Sequence, residues 1–355
     1  MSVELTKDLL KMEQSAGNGY AQTLVEGDIL VPDTKPDISR ILSVDGTVDI
    51  TNKEASDNKM VVNGVVNFKI LYVADGGEYP VYGMDASATF TQNIDIPKAE
   101  KGMKNDVKAE IEHIEFDKLN ERKIGVKAVV NLLGKSRTIF EVDALKEIQG
   151  IDNLQVLRES VSYQEKVQTV QSETIVRESF ELSQDMPEIK EIVQCNVNAT
   201  VKEKEVTDGK IALSGLLKTN VIYVADDDNY SLRFLKHEIP FTHFIENEQV
   251  QRDMDVEIGL KISDVYTDVK NNVDEERKVL DLEADVQIEA ALNRMEQKEF
   301  IVDAYSPSYT LSLETKKIAL DQIIGKNSSN TMIKETLEVP SGKRNIDKIF
   351  SLSGK

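Results

Sequence analysis

The stretch at residues 60–75, MVVNGVVNFKILYVAD, and the stretch at residues 211–226, IALSGLLKTNVIYVAD, lie 151 positions apart and decide the fold. In the first, Val62, Gly64, Val66, Phe68 and Ile70 occupy every second position, so an extended chain turns all five toward one side, as a strand covering a core requires. Both stretches end on Tyr-Val-Ala-Asp, at Tyr72 to Asp75 and Tyr223 to Asp226. Gly76 and Gly77 follow the first copy, and glycine accepts the positive φ of a tight turn, which predicts a hairpin into Tyr79–Met84. In the second copy the turn is Asp226, Asp227, Asp228 and Asn229, which lacks the glycine and the distal glutamate of an EF-hand calcium loop.

Self-similarity at a fixed offset marks a duplicated unit, and this one extends in both directions. Thr23 answers to Thr174, Val25 to Val176, Pro36 to Pro187, Ile38 to Ile189 and Ile41 to Ile192, and later Phe90 to Phe241 and Met103 to Met254. Beyond Ile114, paired with Val265, the second copy gains about five residues in NNVDEERK, a loop insertion that a repeated unit tolerates. The alternation then resumes, with Val126, Ala128, Val130 and Leu132 against Leu282, Ala284, Val286 and Ile288, and each copy closes on Val-Asp-Ala at 142–144 and 302–304. A third copy begins at an offset of 157 from the second, where TIVRESFEL at 174–182 becomes TMIKETLEV at 331–339, with Ile346 and Ile349 in place of Ile189 and Ile192. The expected organisation is one β-domain over 1–150, a second over 151–305 and the truncated start of a third over 306–355.

Within a copy the one helix signal is Pro36 to Leu42, where proline suits the first turn, Asp37 favours the N-terminus, and Ile38 and Ile41 share a face. Asp37 and Arg40 then fall on its solvent side and are the candidate protein-contact residues. The spacing of Leu5, Leu9 and Met12 is helical, but the counterparts Leu154 and Val156, and Tyr309, Leu311 and Leu313, alternate, so this segment reads as a strand. The fold class is mainly β, in tandem sandwich-like domains of about seven strands, each with a short helix. Gly64 and Gly215 predict a strand position that a second backbone or a large side chain approaches closely, or a bulge.

With 355 residues, 40% apolar and 30% charged, the chain has the size and composition of two or three folded domains. Its 63 acidic residues against 43 basic ones give a net charge of −20, which opposes binding to DNA or RNA. No apolar run approaches the length of a membrane span, and MSVELTKDLLKMEQ does not have the layout of a signal peptide, so the chain reads as soluble and unexported. Cys195 is the only cysteine, which excludes an internal disulfide and fits a reducing compartment. It stands in the register of Val44 and reads as a small packing residue.

His113, amid Ile111, Ile114 and Phe116, reads as a strand residue, whereas His237 and His243 flank Pro240 about 20 Å apart on an extended segment, too far to share a metal. No glycine-rich phosphate loop, G-x-S-x-G elbow or H-E-x-x-H helix occurs, and no carboxylate pair is singled out. The reading is a non-enzymatic chain, with no catalytic, metal-ligating or cofactor-binding residue to name.

The segments AQTLVEGDILVPDTKPDISRILSVDGTVDI at 21–50 and MVVNGVVNFKILYVADG at 60–76 resemble spore-coat proteins built from SPOCS domains, with a close likeness over 1–150 and a weaker one in the second copy. The resemblance implies a SipL-like morphogenetic adaptor or scaffold, made in the mother-cell cytoplasm and placed at the forespore surface, that joins other spore coat proteins and the coat ATPase SpoIVA. In that family the SpoIVA contact is associated with a LysM module after the SPOCS repeats, a module not found in these 355 residues. A self-assembling exosporium or coat shell protein is the alternative, and a polysaccharide-processing enzyme the remote one.

Overall fold

The computed structural model describes residues 3–315 and scattered positions beyond them. Twelve strands form two tandem halves. The first contains β1 (Glu4–Leu30), β2 (Asp37–Ser56), β3 (Lys59–Asp75), β4 (Val81–Asp95), β5 (Lys104–Asn120) and β6 (Lys123–Gln149). The second contains β7 (Gln155–Glu181), β8 (Ile189–Thr207), β9 (Lys210–Ala225), β10 (Leu232–Glu246), β11 (Asp255–Lys270) and β12 (Val279–Tyr305). Every pairing is antiparallel, and each half builds two three-stranded sheets, β1-β6-β5 with β2-β3-β4, and β7-β12-β11 with β8-β9-β10.

The alternation in residues 60–75 has the expected consequence. Met60, Val62, Val66, Phe68, Ile70 and Tyr72 are buried and meet Ile124, Val126, Ala128, Val130 and Leu132 of β6 in one core. Leu213, Leu217, Leu282, Ala284, Val286 and Ile288 repeat this in the second half. Gly64 pairs with Phe90, and Gly215 with Phe241. A Cβ on either glycine would lie 2.4 Å and 2.2 Å from the respective ring, so the bare backbone is the bed on which the cross-strand aromatic lies. Gly64 also stands opposite a bulge at Ile50/Asn52, and Gly215 opposite one at Val201/Glu203.

Two expectations are corrected. Pro36 to Leu42 is not a helix: Asp37 onward is the start of β2, and no helix occurs among the described residues. Ile38, Ile41 and Val44 pair with Ala74, Tyr72 and Ile70, because bulges at Ile38/Arg40 and Ile41/Ser43 each insert one residue. The inserted residues turn a period of two into a spacing of three, which imitates a helix in sequence. Ile189, Ile192 and Cys195 do the same against Ala225, Tyr223 and Val221.

Each half also has six strands rather than seven. β1 and β6 remain paired from Glu4 with Gln149 to Leu30 with Lys123, and the shifts at Thr6/Lys7 and Ser15/Gly17 bend the ladder without ending it. The equivalent β7 and β12 pair over the same length, confirming the strand reading of both N-terminal segments.

Among the described residues Tyr309, Leu311 and Leu313 form no strand, whereas β1 and β7 find their ladder partners at the far end of their own half. The rest of the expected third copy lies largely outside the described residues.

Repeated sequence signals turn out to be contacts. The buried Tyr72 donates its hydroxyl to the Pro36 carbonyl at 3.0 Å, and Tyr223 to that of Pro187 at 3.4 Å. The predicted turns are the β3–β4 and β9–β10 connections, and NNVDEERK is the β11–β12 loop where the first half has only Glu121 and Arg122. In the acidic turn the Asp227 carboxylate accepts from the backbone N–H of Asn229 and Ser231, a local cap for the loop.

Candidate interaction surfaces

Asp37, the first residue of β2, is committed to an internal clamp. Its carboxylate accepts from Arg122 at 2.9 Å, and the same guanidinium donates to the carbonyls of Val31, Pro32 and Lys35 at 2.9–3.0 Å. One fork from the β5–β6 turn thus satisfies the β1–β2 loop, which has no ladder of its own. Glu188 takes the register of Asp37 in the second half, where its carboxylate accepts from the Arg277 N–H at 2.9 Å. Arg40 lies three residues on, on the same bulged edge, where it is exposed and pairs in register with Val73.

That bulged edge has a second role in the other half. Val193 is the inserted residue between Ile192 and Gln194, and its carbonyl projects toward Gly83 of β4 so closely that a Cβ there would stand 1.8 Å from the oxygen. Around this approach Lys69 donates to the Cys195 carbonyl, and the Gln194 amide donates to Asp45 at 3.1 Å. Lys190 pairs with Glu78 at 2.8 Å and Lys261 with Asp49 at 2.7 Å. The outward row Asp45, Lys69 and Asp85 of the β2-β3-β4 sheet therefore receives the β8 and β11 edge of the second half. A cleft of about 180 Å³ remains between them, lined by Lys69, Met84, Asp85, Gln194, Cys195 and Thr267. Gln194 is only 7% exposed, and its carbonyl oxygen has no hydrogen-bond partner among the described residues.

A second contact lies at the far end of the long ribbons. Leu10 and Met12 of β1 cluster with Tyr163 of β7 and Phe300 of β12, and Lys298 donates to the Leu9 carbonyl at 2.9 Å. An open depression of about 610 Å³ on the β7-β12-β11 sheet is lined by Gln171, Glu173, Leu260, Lys261, Ile288 and Glu289.

The side chains with the richest chemistry are used for packing. Burial pushes the Cys195 thiol up to about 11, leaving it protonated and inert at neutral pH. His237 stacks on Phe180 with ring centres 4.1 Å apart. His243 shares a 2.8 Å hydrogen bond with Ser172, and burial lowers its pKa. His113 stays on β5, 3.7 Å from Glu115. Among the described residues no three His, Cys, Asp or Glu side chains are grouped to hold a metal.

The SipL, SPOCS domain family matches residues 37–119 and 188–270. The chain carries two SipL SPOCS domains. Their bounds differ by the same 151 positions as the strands, and each runs from the bulged start of β2 or β8 to the end of β5 or β11. The SPOCS family is associated with a structural coat role, and no catalytic family matches the chain. No curated protein and no solved structure matches it.

The Gly83 approach between the two SPOCS copies escaped sequence reading because the glycine is not repeated: its counterpart is Phe234. A break in the repeat at that position is the signal that could have found it.

Proposed function

We propose that this protein is a non-enzymatic adaptor or scaffold of spore coat morphogenesis that acts at the forespore surface. The observation that carries the reading is the pair of SPOCS domains, folded alike and packed against each other, so that one chain presents related surfaces at a fixed separation. In this reading residues 1–150 and 151–305 are the folding domains around the matched segments. Other coat proteins are the partners of the SPOCS copies, and Arg40, with Asp37 behind it in the Arg122 clamp, marks the contact edge. In this reading the coat ATPase is engaged by a LysM module of the kind that accompanies SPOCS repeats, and not by the SPOCS copies.

The test is capture of purified SpoIVA-type ATPase by residues 1–355 and by the same residues followed by such a module. Capture by the longer protein alone is expected. Equal capture by both would move the ATPase contact into the SPOCS copies.

A further inference from the structure

Within each half the two sheets meet along a seam, β1 against β4 and β7 against β10, that no ladder crosses among the described residues. In the first half small residues let these strands touch. A Cβ on Gly19 would stand 2.1 Å from the Asp95 carbonyl oxygen and one on Gly17 2.7 Å from that of Pro97, while Gly27 faces the Ala88 methyl at 3.5 Å. In the second half Gly17, Gly19 and Gly27 have become Gln168, Val170 and Glu178, and Ala86 and Ala88 have become His237 and Ile239. A valine at the register of Gly19 rules out the same backbone approach, so the β7–β10 seam cannot close as the β1–β4 seam does.

Two imidazoles span it instead. His237 of β10 stacks on Phe180 of β7, and six residues on His243 shares its 2.8 Å hydrogen bond with Ser172 of β7. The first half has Ala86 with Ile29 and Gln92 with Ala21 at these positions, none of them titratable. His243 lies on the inward side of β10 between Phe241 and Ile245, its register partner on β9 is the buried Leu213, and Ser172 pairs with Ile288 of β12. The charged residues near it in sequence on these four elements, Lys210, Glu246, Glu173 and Glu289, alternate onto the outward rows, and Glu178 lies six residues along β7 beside Phe180. Apolar side chains and one hydroxyl therefore surround the ring, and burial alone holds its pKa below the ordinary 6.5.

We propose that the β7–β10 seam is an acid-sensitive latch, held by Ser172 and His243 at neutral pH and released when the His243 imidazole takes up a second proton, so that the second SPOCS copy loosens where the first stays closed. A neutral ring can use Nε2 in either role with the hydroxyl, whereas the protonated ring brings two N–H donors and a charge into a setting that offers one hydroxyl. The closed seam thus binds fewer protons than the open one. Its stability falls as pH drops below 6.5 toward the lower pKa of the closed state, and levels off beneath that. The His237 contact does not oppose a charge in this way, because a cation over an aromatic face is attracted to it. The proposal rests on the seam and not on the coat role.

Amide exchange of the 355-residue chain, corrected for its intrinsic pH dependence, tests it between about pH 7.5 and about pH 5.5, above the range in which ordinary carboxylates take up protons. Opening of β10 (Leu232–Glu246) is expected to rise about three- to tenfold across that interval, while that of β4 (Val81–Asp95) changes by less than about twofold. His243→Gln, which gives the second seam the side chain that Gln92 gives the first, is expected to abolish the rise, and Ser172→Ala to increase opening already at neutral pH. If either variant fails to fold, the wild-type histidine resonances decide by NMR, with His243 expected to titrate below 6.5 in step with shifts of the β7 and β10 amides. A β10 that opens equally at both ends of the interval, a rise that survives His243→Gln, or a His243 midpoint at or above 6.5 overturns the proposal.

Discussion

Tyr72 and Tyr223 show how one hydroxyl ties two repeated motifs together, because each reaches from the Tyr-Val-Ala-Asp strand to the proline carbonyl before the next bulged strand. Replacing Tyr72 with Phe removes the donor but leaves the ring, and the expected loss is about 1 kcal/mol, read from urea midpoints at constant slope. Burial pushes both phenols up to about 12, above the ordinary value of 10.0, so the folded state holds these protons longer than the unfolded chain. Stability is accordingly unaffected below pH 10.0 and falls as pH rises from there toward about 12, with Tyr72→Phe flattening part of that fall. Gly64 and Gly215 act through space rather than bonding. Valine at either position collides with the Phe90 or Phe241 ring, and a loss of roughly 1–3 kcal/mol is expected from overpacking. An unchanged melting temperature in both variants would remove the aromatic bed as the reason for the repeated glycine.

At the scale of elements, the matched SPOCS segments omit β1 and β6 in the first half and β7 and β12 in the second. Among the described residues β5 has β6 as its only ladder partner, and Val25, Ile124, Val126, Ala128, Val130 and Leu132 supply much of the wall opposite β3. Residues 37–119 alone would leave one edge of β5 without its ladder and the core of β2-β3-β4 half uncovered. The expected outcome is that 37–119 expresses as an unfolded or aggregating chain, whereas 1–150 gives a dispersed NMR spectrum and a cooperative melt. A folded 37–119 would show that the long ribbon is dispensable to the domain.

For the whole molecule, the junction of the halves depends on a backbone approach more than on its ion pairs. The Lys190–Glu78 and Lys261–Asp49 pairs are partly exposed, and such pairs contribute little. Gly83 is different, because any side chain there meets the Val193 carbonyl. Gly83→Ala is expected to leave each half folded while loosening their packing, seen as faster proteolysis of the 150–154 connection and larger small-angle scattering dimensions. Identical scattering profiles would mean that the ribbon contact of Leu10, Met12, Tyr163 and Phe300 suffices to fix the arrangement.

The sequence by itself determined the duplication, the strand rhythm and the core face, since burial on one side of an extended chain writes itself as alternation, and a 151-residue offset is visible without any partner. It located the hairpins through residues that tolerate turn geometry. It could not reveal that Ile38 and Ile41 belong to a strand, because a bulge is a property of two strands in register: the spacing of three makes sense only opposite Ala74 and Tyr72. Nor could it place Asp37, whose meaning as part of a clamp depends on Arg122, 85 positions later. The junction between the halves was decided by tertiary structure alone. There a carbonyl raised by one bulge needs a neighbour without a side chain, and the chain provides it once, at Gly83, and withholds it at Phe234.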